Sequence, residues 1–176
     1  MFLFSNPQIE IAGATDVPAL CELLNSAYRG EASKKGWTSE AHLIEGDTRA
    51  THASVEEVMQ KPGSVFLKYT GTDQALTGCV NLQPHERGIY LGMFSVSPAL
   101  QGGGVGKKLL AAAEEYARML NSPTIYMTVI SVRTELIQWY QRHGYRDTGE
   151  RKPFPETEDS GKHLQPLEFM VLEKNV

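Results

Sequence analysis

The chain has 176 residues, of which 41% are hydrophobic and 22% are charged, and this composition predicts one globular domain. Its formal net charge of −4 leaves no basic footprint, so we expect no nucleic-acid partner. The sequence lacks the apolar stretch of roughly 18 residues that a membrane span needs and the pattern of a secretory signal, so we expect a cytoplasmic protein without a membrane partner.

The first third of the chain is predicted to contain one strand and two helices. Alternating residues at 8–13 predict the strand, and apolar residues at spacings of three and four predict a helix over 17–28. Residues 29–52 are polar and contain one tryptophan, which is typical of a long, irregular or partly helical connection that carries function. A capping-box pattern at 54–57 predicts a short second helix.

The rest of the chain is predicted to contain six strands and two helices. The predicted strands cover residues 64–70, 75–83, 88–96, 122–130, 145–150 and 167–174. The predicted helices cover 109–120 and 132–143, with Gly144 directly after the second helix and a loop at 152–166. The order is therefore β-α-α-β-β-β-α-β-α-β-β, with one parallel crossover over 88–130. We expect a mixed α/β (α+β) fold in a single domain over 1–176, with its core at about 8–174.

A glycine-rich turn, QGGGVGKK at 101–108, joins the strand at 88–96 to the next helix. Glycine permits positive φ and lets a ligand approach the backbone closely. The first N–H groups of a helix lack internal partners and carry the positive end of its dipole, so a pyrophosphate is a natural ligand there. Lys107 and Lys108 oppose that dipole, which favours a bound anion over the alternative of a purely structural turn.

Two familiar phosphate-binding patterns do not match this turn. A P-loop ending at Gly106-Lys107 needs glycine at 101 and serine or threonine at 108, where the chain has Gln101 and Lys108. A dinucleotide fingerprint starting at Gly102 needs glycine at 107, where the chain has lysine. A nucleotide- or phosphate-binding protein of another fold is therefore disfavoured.

The turn nevertheless resembles a known motif. Gln101, Gly104 and Gly106 after a hydrophobic strand are similar to the acyl-CoA-binding motif of the GNAT superfamily of N-acetyltransferases. LIQWYQRHGY at 136–145 resembles that family's helix that carries a tyrosine and ends in glycine plus an aromatic residue. The predicted element order also resembles that family over residues 8–174. The resemblance implies transfer of an acetyl group from acetyl-CoA to a primary amine of a small molecule, by direct attack in a ternary complex.

The resemblance also implies where acetyl-CoA binds. It would lie where the fourth and fifth predicted strands, 88–96 and 122–130, splay apart. Backbone N–H groups at 102–106 would hold the pyrophosphate, and the backbone of the fourth strand would pair with the pantetheine arm and polarise the thioester carbonyl. The cofactor-binding residues expected on this basis are Phe94, Ser95, Val96, Gln101, Gly102, Gly103, Gly104, Val105, Gly106, Lys107 and Arg133. Many relatives have asparagine in place of this arginine, so contact with cofactor, substrate or solvent stays open for it.

Tyr140 lies where the family often has a general acid for the departing thiolate. A phenol with a pKa of about 10 can donate to a thiolate whose conjugate acid is near about 8.5. Tyr140 also belongs to the apolar face of its helix, so simple packing is the alternative. The family often supplies a base from the strand at 88–96, which here has no acidic residue. The base is therefore left open among bulk water, no base at all, and Glu31, Glu45, Asp47, His85 and Glu86.

The acceptor is implied to lie near the loop after the first helix. Tyr28 and Trp37 are candidates for an aromatic wall, and Glu31, Glu40, Glu45 and Asp47 are candidates for attracting an amine, since aromatic faces and carboxylates suit a cationic small molecule. The alternative is a solvated face that Trp37 anchors to the core. Aminoglycosides, polyamines, amino acids, peptide N-termini and lysine side chains all stay open as acceptors.

The missing acidic residue keeps one other function open, a non-catalytic acyl-CoA-binding regulatory module. Cys21 and Cys79 have no histidine or second cysteine at metal-ligand spacing, so we expect no metal. Many relatives pair through sheet edges, so a homodimer is compatible with the resemblance, although the sequence does not determine the oligomeric state.

Overall fold

The protein is described by a computed structural model that covers residues 4–155 and 162–176. Its strands are β1 (Ile9–Ile11), β2 (Ile44–Glu45), β3 (Val65–Thr70), β4 (Leu76–His85), β5 (Gly88–Val96), β6 (Thr124–Ile130), β7 (Arg146–Pro153), β8 (Lys162–His163) and β9 (Glu168–Asn175). Its helices are α1 (Val17–Tyr28), α2 (Gly30–Ser33), α3 (His52–Gln60), α4 (Val105–Met119) and α5 (Thr134–Arg142).

Seven strands form one mixed sheet in the order β1-β3-β4-β5-β6-β9-β7. The pairing of β5 with β6 is parallel and involves Ile89 with Ile125 and Tyr90 with Tyr126. Beyond Tyr90, β5 continues beside β4 and β6 continues beside β9. The two central strands therefore separate towards their C-terminal ends, in agreement with the predicted splay, and leave a wedge-shaped gap.

Helices cover both faces of this sheet. Phe66 packs with α1 and α3 on one face, while its neighbour Leu67 packs with α4 on the other. This division follows from strand geometry, because successive side chains point to opposite sides of a sheet. Leu24 of α1 and Leu109 of α4 are fully buried in the two resulting clusters. The gap between β5 and β6 thus opens between two helical layers.

The predicted fold class, mixed α/β with a mixed sheet, is confirmed, and several predicted bounds shift. Helix α3 begins at His52 because Thr51 is its N-cap: Thr51 Oγ1 accepts from Ser54 N at 3.1 Å, and Ser54 Oγ accepts from Thr51 N at 2.9 Å. Gly144 has a φ of 93° and follows α5, as predicted.

The connection at 29–52, expected to be irregular or partly helical, contains the short helix α2 and also β2, a strand that was not predicted. Strand β2 pairs with β8, Ile44 lying opposite His163, so this connection contacts the predicted loop at 152–166. Residues 156–161 of that loop lie outside the described residues. Two-residue strands that depend on a distant partner leave no periodic signal in either segment.

Two general features of the described residues bear on function. Across residues 4–155 and 162–176, no group of three or more histidine, cysteine, aspartate or glutamate side chains is arranged to hold a metal ion. Within the same ranges, every helix is too short or too polar to cross a membrane.

Candidate active site

Two cavities lie where β5 and β6 separate. Cavity one, of about 480 Å³, is lined by the end of β5, the turn before α4, and α5. Cavity two, of about 370 Å³, is lined by the end of α1, the segment before α3, α3 itself, residues 90–94 of β5 and residues 127–130 of β6. The two cavities share four lining residues, which are Tyr28, Phe94, Leu136 and Tyr140. A molecule in either cavity therefore contacts the same junction.

The glycine turn supplies open backbone to cavity one. Gly102 and Gly104 have φ of 88° and 87°, and a Cβ added at either position would meet no atom within 4 Å. Gly104 is the N-cap of α4, and its carbonyl accepts the hydrogen bond of Lys108 N at 3.1 Å. The N–H groups of residues 105–107 precede that first helical bond, so they are available to an anion.

An aromatic cluster forms the other wall of cavity one. The Trp139 ring lies 5.9 Å from the Phe94 ring, 5.2 Å from Tyr140 and 4.3 Å from His143, centroid to centroid. A Cβ on Gly106 would lie 3.3 Å from both Phe94 and Trp139, so this glycine lets α4 approach the cluster. Trp139 is a site residue that the sequence analysis missed, although it directly precedes Tyr140.

Gln101 fastens the wall of cavity one through its side-chain amide. Its Nε2 donates to Thr38 Oγ1 at 2.7 Å and to Val96 O at 3.0 Å, and its Oε1 accepts from Trp37 N at 2.7 Å and Thr38 N at 3.3 Å. With four hydrogen bonds inside the protein, this amide holds the loop after α2 against the end of β5. Gln101 thus has hydrogen-bond partners on a distant segment of the chain.

Gly36 is predicted to be essential for the four hydrogen bonds of the Gln101 amide, which we call the Gln101 clamp. A Cβ at residue 36 would lie 2.2 Å from Gln101 Oε1, so Gly36→Ala must displace the amide and its hydrogen bonds. We expect the free energy of unfolding to fall by about 1–3 kcal/mol, measured by urea denaturation. Gly13→Ala is the matched control, because a Cβ there meets nothing within 4 Å. An equal fall in the free energy of unfolding in the two variants would contradict a stabilising role for the Gln101 clamp.

The end of β5 carries a bulge at the junction of the cavities. Cys79 pairs with Ser95 and Asn81 pairs with Gly92, so one residue of β4 faces two of β5. The extra residue gives Met93 a φ of 47°, which non-glycine residues rarely adopt. The Tyr28 hydroxyl donates a hydrogen bond to the Phe94 carbonyl within this bulge. Burial raises the pKa of Tyr28 to about 12, so the phenol remains a donor.

Tyr140 lies at the junction with its ring buried, 4% exposed. Burial is the main cause that raises its pKa well above 10.0, and the neighbouring Tyr28 and Tyr145 add to the shift. The phenol is therefore protonated throughout the physiological pH range. Tyr140 lines both cavities, and a neutral phenol is able to donate a hydrogen bond or a proton.

A buried ion-pair network borders cavity two. Glu40 Oε2 lies 3.4 Å from an Arg29 nitrogen and Glu40 Oε1 lies 3.3 Å from an Arg133 nitrogen. Arg133 also donates to Thr38 O at 2.6 Å and lies 6.0 Å from the centre of the Tyr28 ring. Burial lowers the pKa of the Arg29 guanidinium, and Glu40 opposes that shift. One buried carboxylate thus accepts from two guanidinium groups.

Most of the predicted cofactor residues come together. Nine of them line cavity one, namely Phe94, Ser95, Val96, Gln101, Gly102, Gly104, Val105, Gly106 and Lys107. Gly103 lies in the same turn, where its N–H donates to Leu100 O at 3.2 Å. Arg133 lines cavity two rather than cavity one.

The predicted acceptor residues are dispersed. Tyr28 lines both cavities, but Trp37 lines cavity one. Glu31 is 88% exposed in its side chain, pairs with Lys34 at 2.6 Å, and lies outside both cavities. None of the five candidate bases lines either cavity in the described part of the chain. Of the carboxylates predicted to attract the amine, Glu40 lines cavity two, together with the charged residues Arg49 and Glu57, which were not predicted.

Comparison with known protein families identifies the family to which the chain is similar. A family model described as acetyltransferase (GNAT) family matches residues 17–145. Comparison with curated protein sequences gave no match.

Solved structures give similar folds. The ribosomal-protein-S18-alanine N-acetyltransferase of Escherichia coli has a TM-score of 0.68 at 15% identity, over 96% of this chain and 92% of that chain. The ribosomal-protein-alanine N-acetyltransferase of Brucella melitensis has a TM-score of 0.69 at 18% identity, over 96% and 99%. A GCN5-related N-acetyltransferase of Kribbella flavida has a TM-score of 0.68 at 18% identity, over 96% and 97%. At these identities the likeness concerns the fold.

Proposed function

The chain belongs to the GNAT acetyltransferase family, and from this membership we propose that it is an N-acetyltransferase that moves an acetyl group from acetyl-CoA to a primary amine of a small molecule. The observation that carries the proposal is the pair of cavities that meet at Tyr140 and Phe94. Two molecules that react directly in a ternary complex need two adjoining sites. We further propose that residues 1–176 act as one domain.

Cavity one has the features that a CoA thioester needs. The N–H groups of residues 105–107 and the positive end of α4 suit a pyrophosphate, and Lys107 adds a positive charge at the same turn. The glycines at 102 and 104 leave space beside the backbone, because a Cβ there would meet nothing. Acetyl-CoA, when bound, supplies the activated acetyl group, and the backbone of 94–96 would orient it.

Tyr140 is proposed as the proton donor to the departing thiolate. Its side chain lines both cavities, and its raised pKa keeps the hydroxyl neutral. Its raised pKa makes complete proton transfer less favourable than for an ordinary phenol, so we assign it a strong hydrogen bond to the developing thiolate as well. Glu40 is a poor base, because both of its oxygens already accept from arginine.

A non-catalytic acyl-CoA-binding module would have no use for cavity two or for a hydroxyl donor between the cavities. The deciding experiment follows CoA release from acetyl-CoA with a thiol reagent in the presence of a panel of amines. The panel contains an aminoglycoside, a polyamine, amino acids, a lysine peptide and an alanine peptide, the last because two structural relatives are ribosomal-protein-alanine N-acetyltransferases. Amine-dependent release supports the enzyme, and tight binding of acetyl-CoA without release by any amine supports the module.

A further inference from the structure

The charges around cavity two are unusual for a site that takes an amine. Its described lining contains three arginines and two glutamates, which are Arg29, Arg49, Arg133, Glu40 and Glu57. An ammonium group is attracted by carboxylates and repelled by guanidinium groups. The positive side chains therefore suggest that the acceptor carries a second polar group, in addition to the amine that reacts.

The buried part of this charge set is already committed to an internal network. Arg29 and Arg133 share the single carboxylate of Glu40. All three residues are buried: Arg29 is 3% exposed, and Arg133 and Glu40 are each 9% exposed. Removing a buried charge from such a network leaves the others uncompensated, so these residues hold the wall of the cavity. They keep positive charge near the site without offering a free guanidinium.

Arg49 is the guanidinium that stays available. Among residues 4–155 and 162–176 its side chain forms no ion pair and no hydrogen bond, although Glu57 lines the same cavity. The Arg49 residue is half-buried, so its charge is only partly hydrated. Burial has the largest effect on the pKa of Tyr28, which it raises, and on that of Arg29, which it lowers. The Arg49 charge acts in the lowering direction on the pKa of both groups, so its field reaches the wall of the cavity.

The backbone at Arg49 is held firmly by α1. Asn25 Oδ1 accepts from the N–H groups of Arg49 and Ala50, and Asn25 Nδ2 donates to Ala50 O at 3.0 Å. The Cys21 thiol donates to the same carbonyl at 3.3 Å. A residue fixed at its backbone, with an unpaired and half-buried guanidinium at the cavity, has the preorganisation of a binding group.

We propose that Arg49 binds an anionic group of the acceptor, a carboxylate or a phosphate, so that the substrate is a small amine that also carries a negative charge. The inference rests on the proposed N-acetyltransferase function. The planar guanidinium matches carboxylate and phosphate oxygens in a bidentate manner. An anion at Arg49 also supplies the counter-charge that the half-buried guanidinium lacks, while the amine of the same molecule reaches the junction at Tyr140. A cavity of about 370 Å³ limits the acceptor to a small molecule or the end of a chain.

The test compares amines that differ in one charged group. Alanine is paired with alaninamide and leucine with leucinamide, which removes a carboxylate, and phosphoethanolamine is paired with ethanolamine, which removes a phosphate. Rates of CoA release are measured for the natural protein and for Arg49→Gln, Arg49→Lys and Arg118→Gln. Arg118 is exposed in the last turn of α4, outside both cavities, and serves as the matched control.

The natural protein is expected to favour the anionic member of at least one pair, and the preferred pair identifies the anion as carboxylate or phosphate. Arg49→Gln should lower kcat/KM for the member that carries the anionic group on the order of 10- to 100-fold, because a hydrogen bond to a charged group is lost, and should leave kcat/KM for the member without that group unchanged. Arg49→Lys should restore part of the preference, and Arg118→Gln should change nothing.

Three results would overturn the inference in distinguishable ways. Efficient acetylation of polyamines or of the amines without an anionic group, with slower acetylation of the amines that carry one, would support the N-acetyltransferase and refute the anionic acceptor. An equal loss for both members of a pair in Arg49→Gln would show a structural role for Arg49, and thermal unfolding of the variant would reveal it. Absence of acetylation with every amine would refute the proposed function itself, and the anionic acceptor with it.

Discussion

Replacing Tyr140 with phenylalanine is expected to lower kcat by about 10²- to 10⁴-fold while leaving the affinity for acetyl-CoA nearly unchanged. Loss of a general acid has an effect of that size. The ring stays in place, so the packing against Phe94, Trp139 and Tyr145 is retained. Single-turnover CoA release measures the chemical step, and calorimetric titration with acetyl-CoA measures the affinity.

Tyr145→Phe is the matched control for that experiment. Tyr145 is buried beside Tyr140, 5.8 Å between ring centres, but it lines neither cavity and its hydroxyl has no hydrogen-bond partner among the described residues. Removal of the Tyr145 hydroxyl should leave kcat unchanged, because no hydrogen bond is lost. Equal kcat values for natural protein and Tyr140→Phe would contradict the proposed donor.

The pH dependence of kcat provides a related check. Burial raises the pKa of Tyr140 well above 10.0, so the donor is protonated at every pH below that value. A raised pKa means that deprotonation, and the loss of the donor, occurs only in strongly alkaline solution. The kcat of the natural protein should therefore show no alkaline decline from this group up to about pH 9.

Replacing Gly104 with glutamate is expected to weaken acetyl-CoA binding by at least about 100-fold. The new side chain would enter the open space beside the turn and put a carboxylate where the N–H groups of α4 await an anion. Repulsion between like charges in a partly desolvated site amounts to about 3 kcal/mol or more, which corresponds to that fold-change. Calorimetric titration gives the affinity directly.

The strain of a non-glycine residue at positive φ needs its own control. Gly149 in β7 has a φ of 88°, compared with 87° for Gly104, and a Cβ there also meets nothing within 4 Å. Gly149→Glu therefore carries the same backbone cost, about 1–2 kcal/mol, at a site outside both cavities. If Gly149→Glu weakened acetyl-CoA binding as much as Gly104→Glu, the anion site at the turn would be refuted.

The parts of the fold that the sequence predicts are those with local causes. The strands at 64–70 and 88–96 and the helix ending before Gly144 follow from periodicity and from one glycine at positive φ. The turn at 101–108 is recognisable for the same reason, because its glycines are contiguous and adjoin a helix start.

The composition of cavity two has no such local signal. Arg29 and Glu40 are 11 residues apart, but Arg133 is 93 residues from Glu40, and only the folded sheet brings it to the other two. Trp37 also lacks a local signal for its position. Its backbone N–H donates to the Gln101 amide, and its side chain lines cavity one rather than cavity two. Charged residues in a polar connection look solvated in sequence, although here Glu40 is 9% exposed. Long-range ion pairs decide the site, and a single sequence does not encode them as a pattern.

The central claim is that cavity one binds acetyl-CoA, and calorimetric titration of the purified protein with acetyl-CoA, ATP and NAD tests it most directly. All three ligands carry an adenosine and phosphates, so the comparison tests recognition of the parts that acetyl-CoA alone carries, which are the ribose 3′-phosphate and the pantetheine thioester arm. We predict saturable binding of acetyl-CoA at least about tenfold tighter than binding of ATP or NAD, a difference of about 1.4 kcal/mol. Absence of acetyl-CoA binding, or equal affinity for the three ligands, would contradict the acetyltransferase account.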